Sequence, residues 1–192
     1  MSHWRNLLAV PVVVAILAVQ TVAAPFVLFP KAAELVSPDG RFVVRNAERQ
    51  ASPSDYDGTF HALWLIEVAT GRSRKLCDYV GVAAVAWSSN DLLVVTQYLS
   101  KRTSRALVFS ATGSQDPVIL DKPTLIRLVP VELRDVLRED DHVFVEASRL
   151  EEGTLHFRVW GYGPRDVNGF RWHCEYALLE GAVSCTEERG SH

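Results

Sequence analysis

The sequence has few of the features that mark enzymes and nucleic-acid-binding proteins. It contains no glycine-rich phosphate-binding loop and no Gly-x-Ser-x-Gly nucleophile motif. Its 20 Lys and Arg residues are outnumbered by 23 Asp and Glu residues, and they form no basic block. A nucleic-acid-binding domain concentrates positive charge on one surface, so we exclude that class of function. These absences predict no cofactor and identify no catalytic residue.

Metal-binding patterns are equally scarce. His142 and Glu146 lie four residues apart on a predicted strand, so they share a face, but the spacing provides no third ligand. Residues 54–59 begin like a calcium loop, yet Ile66 occupies the position of the twelfth-place acidic ligand. We predict no metal site and interpret these residues as solvated strand and turn positions.

Charge is absent from residues 7–29, where Gln20 and Thr21 are the polar members. A segment of this length can cross a hydrocarbon core of ~30 Å as a helix. Three interpretations fit the pattern: an uncleaved anchor, a signal peptide cut near residues 21–23, and a buried soluble helix. The first two place the remaining chain outside the cytoplasm. We predict a transmembrane anchor or signal peptide at residues 1–30, and an exported body at 31–192 that is membrane-anchored, periplasmic or secreted.

Cysteine is rare, and two of the three cysteines flank a hairpin-like stretch. If residues 178–181 form a four-residue loop, Ala177 faces Ala182 and Cys174 lies opposite Cys185. A cross-strand disulfide between Cys174 and Cys185 then forms in an oxidising compartment. Two buried thiols are the alternative, because a shift of one residue in the register separates the cysteines. Cys77 is unpaired if the disulfide forms.

Short β-branched and aromatic runs separated by turn residues fill the chain from residue 37 onward, which is typical of an all-β fold. A helical period of apolar residues occurs in the body at residues 130–138. We expect antiparallel hairpins, together with an N-terminal hydrophobic helix. The predicted strands cover residues 41–46, 60–68, 73–78, 83–87, 92–99, 106–110, 118–120, 142–148, 154–162, 170–178 and 182–186.

The predicted strands recur in a fixed order. Similar turn-and-strand segments start at residues 36, 87 and 138, a spacing of 51 residues, and the third copy is the faintest. A second motif, Leu-Trp-Leu-Ile-Glu-Val-Ala-Thr-Gly at 63–71, is similar to residues 106–113. In each motif an apolar strand runs into a tight turn, for which glycine is well suited.

The order Ser-Pro-Asp-Gly at 37–40, the motif at 63–71, then Val-Ala-Trp-Ser at 85–88 resembles the WD40-like PD40 repeats of TolB-type β-propellers. The resemblance is good over residues 36–96 and weak beyond. It implies blade-like hairpins, in which the Ser-Pro-Asp-Gly turn opens a blade strand. Three repeats are fewer than the roughly four to eight blades of a closed propeller. It therefore implies a partial propeller-like open stack, a two-sheet sandwich, or a piece that closes by oligomerisation.

The most distinctive candidate surface lies on the strand predicted at residues 154–162. Alternation places His156, Arg158, Trp160 and Tyr162 on one face of this strand. Arginine and large aromatic residues are enriched in protein interfaces, so we predict that this face contacts a partner or ligand. The alternate aromatic residues of the next strand, at 170–178, are predicted to be core.

Together these features predict a non-catalytic protein-binding module of the cell envelope: a scaffold, an assembly accessory or an inhibitor of another envelope protein. The alternatives are an envelope protein that binds a small ligand or metal, and an envelope hydrolase. A cleft that collects His142, Glu146 and His156 would favour the alternatives. A flat patch around Trp160 would favour protein binding.

Overall fold

Antiparallel β-structure dominates the computed structural model, which describes residues 25–49, 60–113, 116–164 and 168–188. The elements are β1 (Val27–Phe29), β2 (Glu34–Val36), β3 (Phe42–Arg49), β4 (Phe60–Glu67), β5 (Ser73–Val80), β6 (Ala83–Trp87), β7 (Leu92–Tyr98), β8 (Ser104–Ser110), β9 (Val118–Leu120), α1 (Lys122–Leu128), α2 (Val131–Glu139), β10 (His142–Glu151), β11 (Thr154–Tyr162), β12 (Phe170–Ala177) and β13 (Ala182–Glu187).

The strands form three sheets, each built mainly from consecutive strands. The N-terminal sheet has the order β2-β3-β4-β5, the central sheet β1-β6-β7-β8-β9, and the C-terminal sheet β10-β11-β12-β13. Consecutive strands pair as antiparallel neighbours, so sequence order and spatial order agree. The exception is β1, which leaves its sequence neighbour and pairs with β6.

The central sheet is covered on both faces. On β7, Leu93 and Val95 pack with the N-terminal sheet, whereas Val94 packs with the C-terminal sheet. On β8, Leu107 and Val108 divide between the two cores in the same way. Because successive side chains point to opposite faces, a strand buried on both sides is an unbroken apolar run.

Both short helices pack against the C-terminal sheet side of the central sheet. Asp121 caps α1, since its carboxylate accepts a hydrogen bond of 2.9 Å from the Thr124 amide. Leu125 of α1 and Leu137 of α2 are fully buried in the core that also contains residues of β8, β10 and β11. The helices therefore add apolar volume where the central and C-terminal sheets meet.

The Ser-Pro-Asp-Gly motif forms the turn that leads into β3. Gly40 has φ of 73°, which favours glycine, and its amide donates to the Ser37 carbonyl. The Asp39 carboxylate accepts hydrogen bonds from the Arg41 guanidinium, the Arg41 amide and the Ser37 hydroxyl, which lower its pKa to about 2. Arg41 also donates to Asp91 at 2.9 Å, so this turn is joined to the one that precedes β7.

The sequence prediction of an antiparallel, mainly β fold is confirmed. Every predicted strand is present, with ends that differ by no more than three residues, and the predicted helix corresponds to α2. Three elements were not predicted: β1, β2 and α1. β1 continues the uncharged run of residues 7–29, and α1 has seven residues, which are too few for a helical period to be recognised.

Of the uncharged segment at residues 7–29, the structure describes residues 25–29. Residues 7–24, and with them the predicted N-terminal helix, lie outside the described residues. Val27 to Phe29 form β1, and the Phe29 side chain is fully buried between the N-terminal and central sheets. Among the described residues, no helix is long and apolar enough to span a membrane.

Cys77 is the free cysteine of the described residues. We expect it to make the free energy of unfolding depend on pH in the alkaline range. The thiol lies in the core at 7% exposure, and burial raises its pKa from about 9 to about 12. The unfolded chain loses this proton near pH 9 while the folded chain keeps it, so stability falls as the pH rises. Between pH 8 and pH 10 the loss should be about 1.4 kcal/mol.

Urea denaturation at the two pH values measures this loss, and Cys77→Ala provides the comparison. The variant should be less stable at both pH values, yet lack this part of the pH dependence. Equal pH dependence in the two proteins would show that the thiol is not held protonated by the core. Burial is the main cause of the raised pKa of Tyr79 and acts in both proteins, whereas the smaller effect of the Cys77 charge on that pKa is lost in the variant.

Candidate functional site

The predicted site residues lie on one surface of the C-terminal sheet. On β11, Leu155, Phe157 and Val159 point into the core, so the alternate residues point away from the central sheet. We call this surface the outer face. Its members on β10, β11 and β12 include His142, Phe144, Glu146, His156, Arg158, Trp160, Tyr162, Arg171, His173 and Glu175.

Two pairs of stacked rings form an aromatic platform at one end of the outer face. Phe144 and Trp160 are directly opposite in the β10–β11 register, with ring centroids 4.1 Å apart and planes 17° apart. His142 and Tyr162 stack in the same way at 4.3 Å. Such pairs contribute roughly 0.5–1.5 kcal/mol beyond burial, and they hold the rings in place. Tyr162 remains 43% exposed, so part of the platform is accessible.

Arg158 carries an uncompensated charge beside this platform. The register places it opposite Glu146, but Glu146 accepts a hydrogen bond of 2.7 Å from the Tyr98 hydroxyl. Burial and this hydrogen bond raise the pKa of Tyr98, so the phenol stays protonated and acts as the donor. Arg158 is exposed and forms no ion pair with any described side chain. Its guanidinium is therefore available to an incoming acceptor.

Two histidines of the outer face, His156 and His173, are paired with glutamates. His156 Nδ1 lies 3.2 Å from Glu175 Oε1, and His173 Nε2 lies 3.5 Å from Glu188 Oε1. The first pair connects β11 with β12, where the two residues are direct partners. These contacts leave the histidines in fixed positions on either side of Arg158.

A shallow polar groove of about 490 Å³ crosses β11, β12 and β13 next to the platform. A bulge in β10 shifts the register between Ala147 and Arg149 and brings Arg149 opposite His156. The Ser148 hydroxyl donates to the His156 carbonyl at 2.9 Å and holds the bulge. The groove is lined by polar side chains, among them Arg149, His156, Arg158, His173, Glu175 and Thr186.

A disulfide lies below this groove. Cys174 and Cys185 are direct partners in the β12–β13 register, with a Cα–Cα distance of 4.1 Å, and their sulfur atoms are bonded. Ala177 faces Ala182, which is the register that the four-residue loop predicts. The bond therefore ties the last strand, β13, to the strand that carries His173 and Glu175.

The three residues that would favour a metal or catalytic site, His142, Glu146 and His156, each contact a different side chain. His142 stacks on Tyr162, Glu146 bonds to Tyr98, and His156 pairs with Glu175. Within the described part of the chain, no group of three or more His, Cys, Asp and Glu side chains is arranged to hold a metal ion.

Sequence reasoning did not find every member of the outer face. Alternation predicted the aromatic residues of β12 to be core, but gave no reason to join His173 and Glu175, which alternate with them, to the residues of β11. Phe144 and Arg149 were missed, because the stacking on Trp160 and the bulge depend on the β10–β11 pairing. No short-range signal in the sequence marks that bulge.

The outer face presents aromatic, cationic and polar groups to a molecule that approaches the C-terminal sheet. It combines a rigid aromatic platform, an available arginine and an open polar groove, all on one sheet. Comparison of the chain with family models, with curated proteins and with solved structures gives no match. The interpretation of this face therefore rests on its own geometry.

Proposed function

We propose that this protein is a non-catalytic binding module of the cell envelope, and that the outer face of the C-terminal sheet docks a protein partner. The observation that carries the proposal is the stacked aromatic platform beside the uncompensated Arg158. Binding energy in protein interfaces concentrates in a few Trp, Tyr and Arg residues, which this face supplies together.

The chemistry of the face defines the partner. Trp160 and Tyr162 offer flat apolar area, and Arg158 offers a fork of donors that matches a carboxylate. The adjoining groove presents polar groups to a polypeptide that continues across β12 and β13. The proposed partner therefore places an apolar side chain on the platform and an acidic side chain against Arg158.

Placement in the envelope is part of the proposal. The uncharged segment at residues 7–29 supports export or membrane anchoring of the body. The disulfide between Cys174 and Cys185 supports the same compartment, because such bonds persist where the environment is oxidising.

We further propose that the three sheets are propeller-type blades in an open stack. The repeated segments at residues 36 and 87 both cross a turn between the first two strands of a meander, β2-β3 and β6-β7. Arg41 of the first turn bonds to Asp91 of the second, as expected of equivalent turns in neighbouring blades. In the third unit, α2 takes the place of the strand before β10, which accounts for the faint repeat there.

Substitutions on the platform test the proposed function. Trp160→Ala and Arg158→Ala should keep the fold and weaken partner capture by about 2 kcal/mol each, or roughly thirtyfold, as expected for interface hot spots. The measurement is capture from an envelope extract by the full-length protein in mild detergent, with mass spectrometry to identify partners. A genuine partner is one whose recovery falls with both variants.

Matched controls separate the platform from general surface effects. Trp64→Ala removes a partly exposed tryptophan from the N-terminal sheet, and Arg127→Ala removes an exposed arginine from α1. Both control variants should capture the partner normally. If Trp160→Ala and Arg158→Ala also capture it normally, the outer face is not the docking surface.

A further inference from the structure

A second groove, distinct from the outer face, lies where one end of the N-terminal sheet meets the central sheet. It is formed where β3 and β5 begin, where β4 ends, and where the chain leaves β8 at residues 111–113. Its volume is about 490 Å³, within the range of small-molecule sites. None of its lining residues belongs to β10–β13, so it is independent of the proposed docking surface.

The floor of this groove is apolar. Phe42 and Leu65 from the N-terminal sheet and Ala111 from beyond β8 line it, and each is less than one-tenth exposed. The Arg41 guanidinium lies 5.4 Å from the centre of the Phe42 ring. An apolar group that enters the groove would therefore pack on Phe42 and Leu65 and remain close to a cation.

Arg74 is the least compensated cation of the groove. Its guanidinium donates a hydrogen bond to the Ser110 carbonyl, and no described carboxylate pairs with it. Burial lowers the pKa of Arg74, because the charged guanidinium loses part of its hydration there. A half-buried arginine in this situation gains most from an anion supplied by a ligand.

The other charges of the groove are already paired. Arg41 is bound by Asp39 and Asp91, while Arg72 lies 3.6 Å from Glu67 at the rim. Their pairing leaves the positive charge of Arg74 as the unbalanced one among the lining residues.

Two hydroxyl groups add neutral donors beside this charge. Ser73 and Thr112 line the same groove, and neither side chain hydrogen-bonds to another described residue. An oxyanion bound to Arg74 can therefore accept further hydrogen bonds from the walls.

We propose that this groove binds a small organic anion, whose carboxylate or phosphate group pairs with Arg74 and whose apolar body packs on Phe42 and Leu65. The fork of the guanidinium matches the planar oxygens of either group. The combination of one cation without a carboxylate partner, two hydroxyls and an apolar floor distinguishes this ligand class from a bare inorganic ion.

Titration of the full-length protein in a non-ionic detergent tests the proposal. The probes are benzoate, phenyl phosphate, inorganic phosphate and the neutral benzyl alcohol, followed by amide chemical shifts and by calorimetry. Benzoate and phenyl phosphate should give saturable shifts at residues 72–74 and 111–113. Benzyl alcohol and inorganic phosphate should bind much more weakly, because each lacks one half of the recognised chemistry.

Charge-matched variants identify the residue responsible. Arg74→Gln should raise the Kd for both organic anions at least about tenfold, the loss expected for a charged hydrogen bond. Arg138→Gln removes the same charge from α2, where Arg138 pairs with Asp135, and should leave the Kd unchanged. Arg74→Lys keeps the charge and should retain part of the affinity. If Arg74→Gln fails to fold, Arg74→Lys still tests the role of this residue.

Several results would overturn the inference. Absence of saturable shifts with both organic anions at millimolar concentration would show that the groove does not bind this class. Equal binding of benzyl alcohol and benzoate, or equal Kd values for Arg74→Gln and Arg138→Gln, would show that Arg74 does not recognise the anion. Equal Kd values for inorganic phosphate and phenyl phosphate would show that the apolar contact with Phe42 and Leu65 does not contribute to binding.

Discussion

Phe29→Ala is expected to lower the free energy of unfolding by about 3–5 kcal/mol. The Phe29 side chain is fully buried and packs with residues of both the N-terminal and central sheets. Its backbone partner on β6, Ala83, is also fully buried, so the surrounding chain has little freedom to fill the cavity. A loss of this size is a large part of the roughly 5–15 kcal/mol that stabilises a typical domain.

Urea denaturation of the full-length protein measures the effect, and the next residue provides the control. Leu28 lies on the same strand, pairs with Ala84 and is 43% exposed, so Leu28→Ala should cost much less. Equal losses for the two variants would indicate that β1 does not dock on the central sheet in solution.

The position of β1 also limits the N-terminal segment. Because residues 25 and 26 are not helical, Phe26 packs on the core and Val27 pairs with Val85, a membrane-spanning helix in this chain would have to end before residue 25. Residues 7–24 number 18, which lies within the range of roughly 17–25 that a spanning helix needs. For the same reason, a shortened protein that starts at residue 31 lacks β1 and should be less stable than one that starts at residue 25.

Removal of the disulfide is expected to cost about 3 kcal/mol of stability, as estimated for a closed loop of this size. The two cysteines are separated by 11 residues along the chain. The bond restricts the unfolded chain and fastens the edge strand β13 to β12. Cys174→Ala combined with Cys185→Ala therefore produces a loss that the same urea experiment detects.

Treatment with a reductant separates the contribution of the disulfide to stability from that of the packing of the two side chains. Dithiothreitol should destabilise the native protein by a similar amount and leave the double variant unchanged. Cys77→Ala retains the disulfide, so it should keep the full response to reductant. A native protein that does not respond to reductant would show that Cys174 and Cys185 are not bonded in solution.

Prediction from the sequence was most successful for strands with a regular pattern. The run from residue 154 to 162 alternates apolar and polar side chains, and the structure contains a strand with those bounds. The Cys174–Cys185 register followed from one assumption about loop length. Both inferences concern residues within about ten positions of each other, where turn chemistry and alternation determine the arrangement.

Prediction failed where an element has no pattern of its own. Val27 to Phe29 continue an uncharged run, and nothing local indicates that they leave it to pair with β6. The seven residues of α1 are too few for helical periodicity, and burial of Leu125 stabilises them. In each case the stabilising contact is distant in sequence.

The sequence by itself determined the mainly β class, the positions of all described strands except β1 and β2, and the common face of His156, Arg158, Trp160 and Tyr162. These properties depend on backbone preferences and side-chain alternation over a few residues. Only the tertiary structure decided that Phe144 stacks on Trp160, that Glu146 turns to Tyr98, and that Arg74 lacks a carboxylate partner. The physical reason is that burial and pairing arise when sheets far apart in the chain pack together, which no local pattern records.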